Sequence, residues 1–212
     1  CYNTLKRVNE RIKSDPGSLQ KIHKFMDEEK IAYRGDVKVR HLLELLREDI
    51  QFETIRKKVK KPLQNLKVAS YYGCLLVRPK EIGLDDMENP TVLDDLMAAT
   101  GAEPVDFPYK TECCGAYQTV DKPEAVADRT YSILTSARTR GAEVVSVSCP
   151  LCAFNLDHRQ KNAADTHSDF KTLPVLYFTQ LLAIAMGCGE DALRLDLHYV
   201  DPKPLLRRKG LI

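Results

Sequence analysis

The sequence carries no excess of charge of either sign: 32 Lys and Arg stand against 30 Asp and Glu, a formal net of +2. Nothing global therefore demands a nucleic acid or an acidic membrane as partner. It also lacks any apolar run near the ~18 residues that a membrane-spanning helix needs. The nearest stretch, 173–187, is broken by Pro174, Thr179 and Gln180. No Walker loop and no Gly-x-Gly-x-x-Gly element is present, so bound nucleotide is not indicated. Ser132, Ser136 and Thr139 fall along one helical segment and suggest no hydrolase triad. Neither a signal peptide nor a transit peptide is visible, and the expected compartment is the cytoplasm.

What is there suits a globular protein. The 212 residues are 43% hydrophobic and 29% charged, enough for a core and a soluble surface. That length predicts one larger domain, or one domain with a helical appendage. The first 65 residues have almost no strand signal. Leu5 to Ile12 reads as a helix, ended by an Asp15-Pro16-Gly17-Ser18 turn in which Ser18 is placed to cap the next. Val39, Leu42, Leu43, Leu45 and Leu46 give an amphipathic spacing, and Phe52, Ile55 and Val59 carry a further helix up to Pro62.

From Leu66 the pattern alternates. Strands are expected at 68–72, 104–107, 143–147 and 173–177, with helices over about 91–99, from Asp121 and Pro123 to Gly141, and over 178–186. The tail at Asp201-Pro202-Lys203-Pro204 reads as extended. Strands alternating with helices of this length imply an α/β fold with a parallel-type sheet and flanking helices. Ligands of such sheets collect at the carboxyl ends of the strands. The expected division is a helical segment over 1–65 and an α/β domain over 66–212.

Seven cysteines, at 1, 74, 113, 114, 149, 152 and 188, make an odd count that fits a disulfide framework poorly and metal ligation in a reducing compartment better. Five of them follow expected strands: Cys74, the pair Cys113-Cys114, and Cys149-Pro150-Leu151-Cys152. Three chain segments would thus converge on one rim. A Cys-x-x-Cys pair can grip one metal or neighbouring irons of a cluster, though redox dithiols and zinc sites use it too. A disulfide between adjacent cysteines is strained, which favours ligation at 113 and 114. Zinc takes four ligands and so does a cubane cluster. Either one of the five thiols is free, or the cluster is not a cube.

The pattern Cys74, Cys113-Cys114-Gly115, Cys149-x-x-Cys152 resembles the cysteine-rich, or CCG, domain, found in the B subunit of heterodisulfide reductase and in glycolate, lactate and glycerol-3-phosphate oxidoreductases. Segments 36–43, 71–74, 155–157, 174–180 and 200–202 look most like the C-terminal part of that B subunit, so the likeness runs along nearly the whole chain. The resemblance implies a 4Fe-4S cluster of non-cubane type held by Cys74, Cys113, Cys114, Cys149 and Cys152, with zinc in an interaction module as the alternative. It further implies two such domains in tandem, with the disulfide substrate between their clusters. On this reading Cys1 closes a first cluster site whose other ligands are absent, because Cys1-Tyr2-Asn3-Thr4-Leu5 parallels Cys152-Ala153-Phe154-Asn155-Leu156. The implied activity is reduction of a small-molecule disulfide to two thiols. The coenzyme M–coenzyme B disulfide of methanogenesis fits a methanogen source. Electrons would arrive through two partners in the same complex, a ferredoxin-like C subunit, and with it a flavin-containing A subunit. One cluster site alone is expected not to turn over.

The remaining candidates have plainer readings. Cys188 reads as a buried or partly buried free thiol, and His41 as a hydrogen-bonded structural histidine inside a helix. His158 is a candidate hydrogen-bond donor near the cluster, and Arg78 and Lys80 are candidates for anion contacts. Arg56, Lys57, Lys58, Lys60, Lys61 and Lys67 form a basic run of the kind that is usually a solvated face.

Overall fold

The computed structural model describes residues 1–30 and 32–212. Helices α1 (Tyr2–Ser14) and α2 (Pro16–Met26) pack against each other at the amino end. The cap between them is Asp15 rather than Ser18: the Asp15 carboxylate accepts the Gly17 N–H at 3.0 Å, and Ser18, already helical, donates its hydroxyl to the same carboxylate at 2.6 Å. Pro16 at the first helical position forces this register, since its fixed φ suits the first turn.

Helix α3 (Leu42–Leu45) runs on into a wide π-type turn over Leu46–Ile50, and α4 (Phe52–Lys58) follows. His41 is not inside α3 but caps it. Its Nδ1 accepts the Leu43 N–H at 3.1 Å while its own N–H donates to Glu44 at 3.2 Å. Starting the helix just after His41 lets the ring leave the helix surface.

Four parallel strands then build one sheet in the order β2–β1–β3–β4: β1 (Lys67–Tyr71), β2 (Glu103–Pro104), β3 (Val144–Val147) and β4 (Val175–Tyr177). Strand β2 is far shorter than the expected 104–107. Pro104 has no N–H to donate, and only Lys67↔Glu103 and Val68↔Pro104 pair. The central strands are buried on both faces, so they read as continuous runs (Val68, Ala69, Ser70, Tyr71 and Val144, Val145, Ser146, Val147) rather than alternating ones.

Alternate residues face opposite layers. Val68, Val144 and Leu176 join Leu43, Ile55, α5 (Val92–Ala99) and α9 (Phe178–Ala185) on one side. Ala69, Val145 and Val175 join Ile133, Leu134 and Leu156 on the other, from α6 (Pro123–Thr139) and α7 (Pro150–His158). Helix α8 (Gln160–Thr166) packs on α6 and α7, and α10 (Glu190–Leu193) lies beside α9. The tail is not extended. Lys203–Arg208 forms helix α11, whose Leu205 and Leu206 are buried, so burial decides the state of a Pro-bracketed segment. The glycines expected as terminators, Gly101 and Gly141, stand just past α5 and α6. The fold is an α/β layer structure with helices on both faces of a parallel sheet.

Strand order places the site. From β1 the chain moves outward to β2, then back across β1 to β3. The carboxyl ends of β1 and β3 are therefore neighbours whose connections leave in opposite directions, the position where a crevice opens in such sheets.

Candidate cysteine centre

Cys74 follows β1 by three residues and Cys149 follows β3 by two. They flank that crevice. Cys113 and Cys114 arrive from the loop beyond β2, which is tied to the end of β1. The Tyr72 and Gly73 N–H groups donate to the Lys110 carbonyl at 2.9 and 3.1 Å, and the Tyr71 hydroxyl donates to the Glu112 carbonyl at 2.6 Å. Arg129 on α6 holds the same loop, donating to the Cys113 carbonyl at 3.2 Å and pairing with Glu112 at 2.8 Å. Cys152 lies in the first turn of α7, with Cys149 as its N-cap and Pro150 at its first position.

The five thiols line one cavity of about 290 Å³ together with Cys1, which enters from the start of α1. All are free thiols. The sequence-based expectation that three segments converge on one rim describes this geometry. Cys188, expected buried or partly buried, is exposed and outside the cavity, because the chain turns away at Gly187 after α9. His158 does not line the cavity either. It packs on the rings of Phe154 and Tyr199 at 4.8 and 4.3 Å, on the side of α7 away from the cysteines. Arg78 is taken up by the Thr111 carbonyl at 3.0 Å and by Glu88 at 2.9 Å, holding the loops rather than facing the cavity. The basic run does not border the cavity.

The environment of the sulfurs is uneven. The Cys114 and Cys152 sulfurs lie 3.5 Å apart. The Cys152 thiol holds Cys114 below the ordinary thiol range, against burial, with the Ala116 N–H and the Asn155 amide acting in the same sense. Cys152 is pushed well up by its two cysteine neighbours and by burial. Cys149 is pulled down to about 6, by the Cys152 thiol first and then by the Cys152 and Leu151 N–H groups at the start of α7. Cys74 is pushed up to about 11, by burial first and then by the neighbouring cysteines.

Backbone groups aim at the same sulfurs. The Gly115 N–H donates to Cys113 Sγ at 3.3 Å, a direction set by its left-handed φ of 80°. A side chain at Gly73, φ 63°, would meet Cys152 Sγ at 3.1 Å. This donor set suits an iron–sulfur group: several soft thiolates from separate loops around a cavity, with N–H groups on the sulfurs. A single tetrahedral ion takes four ligands, one fewer than the five thiols that line this cavity.

Three further residues were given no role by the sequence, although 155–157 lies within the family likeness. Asn155 is fully buried, and its amide nitrogen lies 3.1 Å from the Cys114 carbonyl and 3.6 Å from Cys114 Sγ. Buried Asp157 accepts the N–H groups of Tyr199 and Val200, each at 2.9 Å, and so anchors the tail to α7. His198 sits between Asp157 at 3.5 Å and Gln180 at 2.9 Å.

Comparison with known proteins adds the family context. The model of the cysteine-rich domain, CCG, matches residues 68–157. The chain is 33% identical over 97% of its length to the 8-methylmenaquinol:fumarate reductase membrane anchor subunit of Wolinella succinogenes, covering 71% of that protein. It is also 33% identical over 95% of its length to the B subunit of the ferredoxin/F(420)H(2)-dependent CoB-CoM heterodisulfide reductase of Methanosarcina acetivorans, covering 68% of it. The B subunit of the ferredoxin:CoB-CoM heterodisulfide reductase of Methanosarcina mazei is 32% identical over a similar span. A crystal structure of a hypothetical protein from Helicobacter pylori superposes with a TM-score of 0.71 over 90% of this chain and 34% of that one; at 14% identity it speaks to the fold alone.

Proposed function

The chain belongs to the family of heterodisulfide reductase B subunits and their cysteine-rich, CCG-domain relatives, and from that premise we propose that it is the cluster-bearing catalytic part of a complex that reduces a disulfide to two thiols. The observation that carries this reading is the single cavity lined by Cys74, Cys113, Cys114, Cys149, Cys152 and Cys1. The five cysteines of the three rim loops would hold a 4Fe-4S cluster of non-cubane type. Cys1, which lines the same cavity, would belong to a second cluster.

When bound, such a group supplies electrons one at a time and an iron that accepts sulfur. The chain's own residues shape the place where a disulfide would lie. Tyr72, Leu76 and Ala116 give the cavity apolar walls, while Leu75 and Leu151 border its mouth. His41 also borders it. Because His41 Nδ1 accepts the Leu43 N–H, the neutral ring carries its proton on Nε2, and burial holds its pKa below the ordinary histidine value. Reduction consumes two electrons and two protons; the neutral His41 ring can offer a hydrogen bond from Nε2–H but is not the source of those protons. Electrons would come through ferredoxin-like and flavin-containing partner subunits.

The test is metal and sulfide content. Protein prepared without oxygen is expected to carry iron and acid-labile sulfide, and Cys113→Ser or Cys114→Ser to alter its absorbance and EPR spectra. One zinc per chain without sulfide would overturn the reading. The Wolinella relative favours a second one, in which the same centre passes electrons to or from a quinol-linked partner. Among the described residues no helix is long and apolar enough to cross a membrane. Rapid reoxidation of the reduced protein by a disulfide but not by a menaquinone analogue favours the first reading, and the converse favours the second.

A further inference from the structure

Resting on the cluster reading above, we infer that Asn155 is a positioning residue that sets the reduction potential of the centre through Cys114. Its side chain is fully buried, and among the described residues its nitrogen is the one side-chain nitrogen that reaches a cysteine sulfur, at 3.6 Å from Cys114 Sγ and 3.1 Å from the Cys114 carbonyl. The orientation of the amide is fixed by what faces it. Turned over, its oxygen would oppose both a carbonyl oxygen and a thiolate, two acceptors with no proton between them.

The other end of the amide has no partner: Asn155 Oδ1 is buried and unbonded. A buried acceptor left unpaired is costly. The fold retains that cost to keep a donor on Cys114. It also locks the residue in place. Thr130 on α6 donates its hydroxyl to the Asn155 carbonyl at 3.2 Å, so α6 and α7 grip the backbone on which the amide stands.

A hydrogen bond to a ligand sulfur withdraws negative charge from it. It therefore stabilises the reduced, more negative state of the centre over the oxidised state and raises the potential. Cys113, by contrast, receives a backbone N–H on an exposed loop, where water can replace a lost donor. Cys114 is buried and, among the described residues, the Ala116 N–H is the only other N–H acting on it, so water cannot replace the amide when it is lost.

The test compares wild type with Asn155→Leu, which keeps the branched outline and removes the donor, and with Thr100→Val, which deletes a buried hydroxyl outside the cavity. All are reconstituted without oxygen, assayed for iron and sulfide, and titrated by EPR in mediator dyes. Asn155→Leu is expected to retain iron and sulfide at wild-type levels with its midpoint shifted to lower potential, and Thr100→Val to leave the midpoint unchanged. An unmoved midpoint in a fully loaded Asn155→Leu protein overturns the inference. Should the leucine variant not fold, Asn155→Ala removes the same donor without bulk and is judged identically. If neither variant retains iron and sulfide, Asn155 only holds the loop and the tuning role is overturned. Wild type without iron and sulfide would instead sink the cluster reading itself.

Discussion

The cavity depends on a backbone passing within van der Waals reach of a ligand sulfur. At Gly73 an added methyl would sit 3.1 Å from Cys152 Sγ, and the φ of 63° disfavours any side chain. The left-handed conformation alone costs an L-residue about 1–2 kcal/mol, and Cys152, packed in α7, has little room to retreat. Gly73→Ala is therefore expected to fold with reduced stability and to bind markedly less iron than wild type in reconstitution assays. Equal iron content would mean that the Gly73 approach is incidental. Asp157 carries a different load: Asp157→Ala leaves the Tyr199 and Val200 N–H groups without their acceptor, and is expected to loosen the tail in hydrogen exchange while sparing the strands. Neither role shows in the sequence. Gly73 follows two tyrosines like any strand-ending glycine, and Asp157 finds its partners more than forty residues away. The cysteines were legible because ligation leaves a spacing, whereas Gly73, Asn155 and Asp157 act through contacts that have none.

Among the elements, α5 has the least ordinary start. Its N-terminal N–H groups at Leu93 and Asp94 donate to the hydroxyl of Tyr72, at 3.1 and 3.2 Å, and that hydroxyl donates to the Asp94 carboxylate at 2.9 Å. One tyrosine at the end of β1 therefore caps a helix and lines the cavity at once. Tyr72→Phe should lower stability in urea unfolding by about 1–3 kcal/mol, the range for buried donors left unsatisfied. The carboxyl of Asp94 is pushed up by burial, against the hydrogen bond from the Tyr72 hydroxyl. A raised folded pKa gives stability that is full below the unfolded carboxyl value, near ~4, and is lost as pH rises through the folded value. Asp94→Asn should therefore remove a fall in stability with rising pH just above that value, measured as the difference between the two proteins' urea midpoints. A constant difference across that window would contradict the assignment. The strands and most of the helices were legible because their patterns are local and bounded by Gly and Pro. Strand β2 was overread at Pro104, and α7 was hidden behind the Cys149-Pro150 motif, where Pro at the first helical position was itself the signal. Helix α11 is helical because Leu205 and Leu206 find a core, information that Pro202 and Pro204 mask.

At the scale of the whole molecule, the question is whether the centre holds the fold or the fold holds the centre. In small metal domains the binding energy of the metal is the folding energy, and the apo form is unfolded. Here both faces of the sheet are buried without help from the cavity: Val68, Val144 and Leu176 on one side, and Ala69, Val145 and Leu156 on the other, are fully enclosed. The loops that bring the cysteines together are tied by protein groups, through Lys110, Glu112, Arg129 and Tyr71. The site is then largely assembled before it is filled. A bound group adds links among three loops, stabilising the folded state in proportion to its affinity for that state over the unfolded one. Stripping iron and sulfide with a chelator under nitrogen is therefore expected to lower the thermal midpoint while leaving far-UV circular dichroism and a single cooperative transition intact. Hydrogen exchange should locate the loss: the largest acceleration at 113–117 and 149–152, and at 68–71 and 144–147 only the smaller one that follows from lower global stability. Loss of the cooperative transition in the stripped protein would mean instead that the centre is part of the core, and that the cavity walls form only around it.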